Sequence, residues 1–260
     1  MIRSTSVLVI PLLVLTSLCG RARAEDAPAA DLAATPSHDV TRFLATTSSA
    51  FVGGSAAVTS AFGGYDGAAK TPTFGVVTEL RLVRRLSLVG GVAYGNASAA
   101  DAGLRPQLGA RLQLLRESAS GVDASVGFLF RQDRFTSEDG LFQGSLALGR
   151  SFGETSTVLN VVYAQDGEGD DHEGEVRLAG LRHVRGGLHV GVEGRYMHAI
   201  DSTDPRRVML GTPSMEAMAG PVVAYTAGTW AFVAEAGIAS RQTAHLDTGV
   251  TTLGGIGTTF

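Results

Sequence analysis

Residues 122–131 read VDASVGFLFR, and the alternation within them decides the fold of this chain. Apolar side chains occupy every second position from Val122 to Phe130, while Asp123 and Arg131 fall on the intervening set. Successive side chains of a β-strand point to opposite faces, so this stretch predicts a strand with one apolar face and one mixed face.

The same alternation recurs from Phe51 to Phe260, for example over residues 188–197 and 230–239. Each block has about ten residues, the length of a tilted transmembrane strand. Together the blocks predict an all-β chain of twelve antiparallel strands, near 52–63, 73–83, 86–95, 104–115, 121–131, 141–150, 156–165, 175–183, 187–198, 214–226, 229–240 and 249–260. Alternation by itself would also fit a sheet that faces water on one side. Three further patterns favour a membrane barrel.

The first pattern is the length of the connections. Those after even-numbered strands are short, as around Arg84-Arg85 and Arg185-Gly186, whereas those after odd-numbered strands are longer and polar, as at residues 166–174 and 201–212. Outer-membrane barrels have short periplasmic turns and longer outside loops. This asymmetry therefore predicts an up-and-down transmembrane barrel.

The second pattern is the placement of aromatic residues. Amphipathic rings favour the boundary between membrane and water, so aromatic residues at strand ends predict girdles around a barrel. The ends of odd-numbered strands carry Phe62, Tyr94, Phe130, Tyr163 and Tyr196 on the apolar face. The other rim is predicted to carry Tyr225, Trp230 and Phe260.

The third pattern is the lack of charge at mid-strand on the apolar face. A lipid-facing Arg or Lys at the bilayer midplane costs about 2–4 kcal/mol. The basic residues on this face are Arg84, Arg116, Arg150 and Arg182, and each lies at the inner end of an even-numbered strand. A long side chain there can extend to the lipid headgroups.

With these features, residues 51–260 resemble Gram-negative outer-membrane β-barrel proteins of the porin-like kind. The final residue is Phe260, and it matches the terminal aromatic residue that the assembly machinery of such barrels reads. The resemblance implies a location in the outer membrane, contact with membrane lipids and lipopolysaccharide, and assembly through Phe260. It is architectural and indicates no subfamily.

The N-terminal region divides into two predicted parts. Residues 1–24 combine Arg3, an apolar run from Val7 to Leu18 and an Ala22-Arg23-Ala24 site, which together predict a cleaved signal peptide. Residues 25–50 are rich in Ala, Asp, Ser, Thr and Pro. We interpret them as a flexible periplasmic lead-in to a barrel over residues 51–260, with a plug inside the barrel as the alternative.

Charge and cysteine content exclude several functions. Loss of residues 1–24 would remove three of the 21 basic residues and none of the 25 acidic ones, which leaves an acidic chain and argues against nucleic-acid binding. The single cysteine, Cys19, lies within the predicted leader, so no thiolate metal site or disulfide is expected afterwards. No motif for a cofactor or a metal ion is specific.

The mixed faces of the strands are predicted to line a lumen with equal numbers of acidic and basic residues. The candidates are Glu79, Arg81, Arg105, Arg111, Asp123, Arg131, Glu175, Arg177, Glu193, Arg195, Glu216 and Glu235. One interpretation is a narrow passive channel for small polar solutes. The other is a structural surface protein in which these charges hold a filled barrel rigid.

Two local motifs leave further alternatives. The stretch Arg195-Tyr196-Met197-His198 faintly resembles that of lipid A deacylases, which are lipid-modifying hydrolases, but Ile200 stands where those enzymes carry serine. We therefore expect no enzyme and no catalytic residue. The acidic loop at residues 166–175 supplies carboxylates that suit calcium, although a solvated loop explains them as well.

Overall fold

The computed structural model describes residues 40–44, 47–52, 55–95, 103–132, 140–167, 169, 171–200 and 213–260. The predicted signal peptide, residues 1–24, lies outside the described residues, as does the predicted long loop at 201–212. Among the residues described, no helix is both long enough and apolar enough to cross a bilayer.

Twelve antiparallel strands form one closed barrel, which confirms the predicted fold class and strand number. The strands are β1 (Ala57–Asp66), β2 (Thr71–Val83), β3 (Leu86–Gly95), β4 (Gly103–Leu115), β5 (Asp123–Gln132), β6 (Gly140–Phe152), β7 (Thr155–Asp166), β8 (His172–Arg185), β9 (Leu188–Ala199), β10 (Met215–Ala227), β11 (Trp230–Gln242) and β12 (Leu246–Thr259). Each strand pairs with its neighbours in sequence, and β12 closes the barrel by pairing Thr259 with Val58 of β1.

The predicted strand positions agree closely with the observed ones, with β1 as the main exception. That strand begins at Ala57 and not near residue 52. Residues 47–52 are not part of the sheet and lie inside the barrel. The proline in β10 is tolerated because Pro221 pairs with Val192 of β9 but interrupts the ladder to β11, which stops at Ala219 and resumes at Val222.

The outer face of the barrel carries apolar side chains, and the inner face carries polar side chains and small ones. Large apolar side chains are exposed along the strands, among them Leu178 at 57% and Ile238 at 64%. In the same strands the intervening polar side chains are buried, such as Glu193 and Glu235. A closed barrel with an apolar exterior leaves no sheet edge exposed and suits a bilayer.

The connections follow the predicted asymmetry, with exceptions at both ends of the barrel. We call the end of the barrel with the tight turns at 84–85, 153–154, 186–187 and 228–229 the turn end, and the opposite end the loop end. At the turn end, residues 116–122 are longer than predicted because they form a helical turn, Glu117–Ser120, that Asp123 caps by accepting from the Glu117 amide at 2.9 Å. At the loop end, residues 243–245 form a shorter connection than predicted.

The predicted aromatic girdle residues lie on the outer face. Tyr163 and Tyr196 near the loop end and Trp230 and Phe260 at the turn end are exposed, and Tyr225 is exposed too. Tyr94 stacks on Phe74 at a centroid distance of 4.7 Å, and Phe62 and Phe130 lie against glycines of neighbouring strands. Their position at a membrane boundary stays a prediction.

Candidate functional site: the lumen and the segment inside it

The segment that precedes β1 lies inside the barrel. We call residues 40–52 the lumen segment; it is described at 40–44 and 47–52 and contains a short helical turn at Thr41–Phe43. Four of its apolar residues, Val40, Phe43, Leu44 and Ala50, are buried in one cluster with wall residues of six strands. The wall contributes Val58, Ala147, Val158, Ala179, Leu181, Val222, Ala224, Ala231 and Val233.

Of residues 25–50, for which we predict a flexible lead-in with a plug as the alternative, the structure describes 40–44 and 47–50, and most of these are buried among wall residues. The composition of the whole region is polar, and that is why a flexible segment was expected. The apolar surface that docks is concentrated in Val40, Phe43, Leu44 and Val52. Because the facing wall side chains are small, the lumen has room to bury these four against it.

Two wall glycines make space for the lumen segment. A Cβ atom added at Gly257 of β12 would lie 2.0 Å from the Phe43 ring, and one added at Gly149 of β6 would lie 2.9 Å from the Ala50 Cβ. Real Cβ atoms do not approach other atoms so closely, so any side chain at Gly257 would displace Phe43. The wall is therefore shaped to the segment at both positions.

Side-chain amides of the wall bind the backbone of the lumen segment. The amide of Ser48 donates to Asn160 Oδ1 at 2.6 Å, and Asn160 Nδ2 donates to the Ser48 carbonyl at 2.8 Å. The amide of Val52 donates to Gln113 Oε1 at 2.5 Å. Both amide side chains are almost completely buried, so these bonds satisfy polar groups that water does not reach.

Glu79 and Arg111, both predicted to line the lumen, join the wall to the segment. Arg111 Nη1 lies 2.9 Å from Glu79 Oε2, and Arg111 Nη2 donates to the Ser49 carbonyl. Glu79 also accepts from Ser87 Oγ at 2.6 Å and lies 3.9 Å from Arg42 Nη2 of the lumen segment. One carboxylate thus faces an arginine of the wall and an arginine of the segment.

A second ionic cluster lies nearer the loop end. Arg195 Nη2 lies 2.8 Å from Glu216 Oε2, and Arg195 Nε lies 3.6 Å from Glu175 Oε1. Arg177 donates to Glu175 Oε2 at 2.6 Å, and Arg241 Nε lies 3.4 Å from Glu216 Oε1. The cluster alternates in sign and forms a mixed-charge belt across β8, β9, β10 and β11.

Cavities lie in the lumen beside these groups. One of about 120 Å³ is lined by charged residues, namely Arg131, Glu173, Glu175, Arg177, Arg195 and Glu216. The other, of about 110 Å³, is lined by Ser48, Arg111, Asn160 and Arg177, so it reaches the lumen segment. Gln143, Val162 and Arg177 line both cavities, which places them side by side in the barrel.

The structure does not bring all the predicted lumen residues into these two clusters. Glu193 and Glu235 are buried, with 2% and 5% of their surface exposed. They lie on β9 and β11, where they pair with Gly220 and Val222 of the intervening strand β10. Asp123 is buried at the turn end, where it caps the helical turn. Arg81 and Arg105 are half-buried in β2 and β4. A role of these residues in solute passage stays a prediction.

Sequence reasoning missed three residues of the site. Arg241 belongs to the ionic cluster but lies just past the predicted end of its strand, and Asn160 and Gln113 are uncharged. A signal for the lumen segment was present in the wall. From β6 to β12, inward-facing Asp, Glu, Lys and Arg lie toward the loop end or, for Glu193 and Glu235, near mid-strand, whereas the inward-facing positions nearer the turn end are mainly alanine, glycine, valine and leucine.

The acidic loop is only partly described. Asp166 Oδ1 accepts from the amides of Gly169 at 2.7 Å and Asp171 at 3.2 Å, an arrangement that orders the turn without a ligand. Glu168 and Asp170 lie outside the described residues. Over the described chain, no group of three or more residues is arranged to hold a metal ion.

Comparison with known proteins gives a result at the level of the fold. No protein-family model matches the sequence, and no curated protein sequence matches it either. Solved structures do match. The fold is that of outer-membrane porins and channels.

The NanC porin matches with a TM-score of 0.57 at 13% identity over 78% of this chain and 98% of that chain. An outer membrane channel from Pseudomonas putida F1 matches with a TM-score of 0.53 at 11% identity, over 81% of this chain and 97% of that chain. The KdgM porin matches with a TM-score of 0.52 at 11% identity, over 78% and 99%. These likenesses extend over the barrel and confirm its architecture.

Proposed function

We propose that this protein is a non-enzymatic channel of the Gram-negative outer membrane, narrow and passive, for small polar solutes. The observation that carries the proposal is the polar lumen: two adjoining cavities, lined by ion pairs and amides, inside a closed barrel with an apolar exterior. The likeness in fold to outer-membrane porins and channels supports the proposal.

The charges of the lumen favour uncharged or internally balanced solutes. Arg177 and Arg195 face Glu175 and Glu216 at ion-pair distance, so neither sign dominates the cavity beside them. A one-sided lining would select anions or cations, whereas a balanced one offers donors and acceptors to a polar solute. We therefore expect weak ion selectivity.

The proposed surroundings follow from the exterior. Membrane lipids and lipopolysaccharide would contact the exposed apolar face, with aromatic residues at its two rims. Phe260 is 72% exposed at the end of β12 and is available to the assembly machinery of outer-membrane barrels. The amide of Phe260 is bonded to the Ala57 carbonyl at 2.9 Å, so its backbone also helps to close the barrel.

A lipid-modifying hydrolase gains no support from a specific contact. His198 is exposed, opposite Met215 and Gly174, on the same outer face as Tyr196. Ser202, a hydroxyl residue four positions after His198, lies outside the described residues. A purely structural surface protein is the remaining alternative, and conductance separates it from a channel.

The test is conductance of purified, folded protein in planar bilayers, together with swelling of liposomes in small sugars and amino acids. Wild-type protein is measured beside Phe43→Ala, which removes the aromatic ring that packs against Gly257 of the wall. We expect discrete, salt-dependent steps of small size, larger or more frequent in Phe43→Ala. Folded wild-type and Phe43→Ala barrels that are both silent and both impermeable would overturn the channel and favour the structural role.

A further inference from the structure

Contacts near both described ends of the lumen segment lie toward the same end of the barrel. Phe43 contacts Gly257 near the turn end of β12, Ser48 reaches Asn160 in the middle of β7, and Val52 is bonded to Gln113 near the turn end of β4. Five residues beyond Val52, β1 begins at that same end with Ala57. The contacts of Phe43 and Val52 thus both lie toward the turn end, and this is the end through which we expect the segment to withdraw.

The lumen segment also spans the width of the lumen. Phe43 fits against Gly257 of β12, while Ala50 fits against Gly149 of β6. In the closed strand order, β6 and β12 are six strands apart in a barrel of twelve, so the two contacts lie on opposite walls. Between them, the buried apolar cluster includes wall residues from six strands. A solute moving along the axis meets this segment before it reaches the turn end.

The segment is held by contacts that are separate from the hydrogen bonds between strands. In the part of the chain that the structure describes, the strand ladders pair strands only with strands and include no residue of the lumen segment. Its polar contacts are made with side chains: Asn160, Arg111, Gln113 and Glu79. Withdrawal would break these contacts and expose the apolar cluster, but it would leave every interstrand hydrogen bond in place.

We infer that the lumen segment is the gate of the channel, and that the structure shows its closed state. The gate opens when the segment breaks its hydrogen bonds to Asn160, loses its contacts with Gly149 and Gly257, and moves toward the turn end. Arg111 links the gate to the wall charge, because it bonds the Ser49 carbonyl and Glu79 together. The inference rests on the proposed channel function, and it adds where the channel closes and which residues hold it closed.

A reversible cross-link tests the gate directly. The pair is Ala50→Cys with Gly149→Cys, because the Ala50 Cβ and the position of a Cβ at Gly149 are 2.9 Å apart, within a small adjustment of the roughly 3.5–4.5 Å that a disulfide needs. The only natural cysteine, Cys19, lies in the predicted leader, so leader-free protein has no competing thiol. The pair is introduced into Asn160→Ala protein, in which the segment is released more often, and the two single-cysteine variants serve as controls.

Conductance is recorded from the same protein after oxidation and after reduction. We expect oxidised protein to conduct at least tenfold less than reduced protein, with recovery on adding reductant and no redox effect in the single-cysteine controls. Equal conductance in both states with the disulfide formed would overturn the gate and leave the channel standing. A pair that never forms a disulfide would contradict the placement of Ala50 at Gly149. Silence of the reduced, folded protein would instead contradict the channel itself.

Discussion

The oxygen and the nitrogen of the Asn160 side-chain amide are both hydrogen-bonded to the backbone of Ser48. The Ser48 amide donates to Asn160 Oδ1 at 2.6 Å, and Asn160 Nδ2 donates to the Ser48 carbonyl at 2.8 Å. This is the pattern of a strand pairing, made here by one side chain to a segment 112 residues away in sequence. It holds the lumen segment against the middle of β7.

Asn160→Ala is expected to loosen the lumen segment while the barrel stays folded. The change removes two hydrogen bonds to Ser48, each worth about 0.5–1.5 kcal/mol net, and together they correspond to a shift of about 5- to 150-fold in the docking equilibrium. Single-channel recording checks this as an increased open fraction. Val161→Ala, at the adjacent lipid-facing position, is the control and should leave gating unchanged. An open fraction equal to that of wild-type protein would show that the Asn160–Ser48 hydrogen bonds do not hold the gate closed.

Gly257→Ala is expected to displace Phe43. The added Cβ would lie 2.0 Å from the Phe43 ring, whereas at Gly254 on the same strand the nearest atoms to an added Cβ are 3.9 Å away. Gly254→Ala is therefore a matched control. The expected effect of Gly257→Ala is a raised open fraction in bilayers, and in a Phe43→Ala background the same change should add little, because the clash is gone. Additive effects of Gly257→Ala and Phe43→Ala would contradict the contact.

Arg195→Gln and Glu216→Gln are expected to shift ion selectivity in opposite directions. Removing Arg195 takes one positive charge from the cluster and shifts selectivity toward cations, while removing Glu216 takes one negative charge and shifts selectivity toward anions. The reversal potential under a KCl gradient measures both shifts. Lys70→Gln, an exposed change at the loop end, should alter it much less because solvent screens that charge. Shifts of the same sign in both lumen variants would place the cluster off the ion path.

Leu178→Arg is expected to destabilise the barrel in lipid. Leu178 is 57% exposed near the middle of β8, where a charge facing lipid costs about 2–4 kcal/mol. Val184→Arg, near the turn end of the same strand, should cost only about 0–1 kcal/mol because its side chain reaches the headgroups. The free energies of unfolding in denaturant from liposomes provide the comparison. Equal costs at the two positions would mean that this face is not buried in a bilayer.

The barrel could be predicted from the sequence because each strand carries its own signal. Alternation from Val122 to Phe130 needs no knowledge of a distant residue, and β3, predicted at 86–95, spans Leu86–Gly95. Strand neighbours follow from chain order in an up-and-down barrel, so the topology required no long-range information. The exceptions are local hydrogen bonds, such as the Asp123 cap that lengthens the connection after β4.

The lumen segment could not be predicted in the same way because its evidence is divided between distant parts of the chain. In the sequence, Phe43 is an isolated aromatic residue in a polar region, and Gly257 is one of several small residues in β12. Only their contact gives either a role. Pairings among the lumen charges were equally hidden, because the sequence supplies equal numbers of each sign but not which arginine meets which glutamate.

The most direct test of the account is heat-modifiable gel migration of the protein in outer-membrane fractions, with boiled and unboiled samples compared after extraction with urea. Every proposal above depends on a closed barrel seated in that membrane. The account predicts a protein that resists extraction and migrates differently once boiling has opened the barrel. A protein that urea releases, and whose migration boiling leaves unchanged, would contradict the transmembrane barrel and with it the channel and its gate.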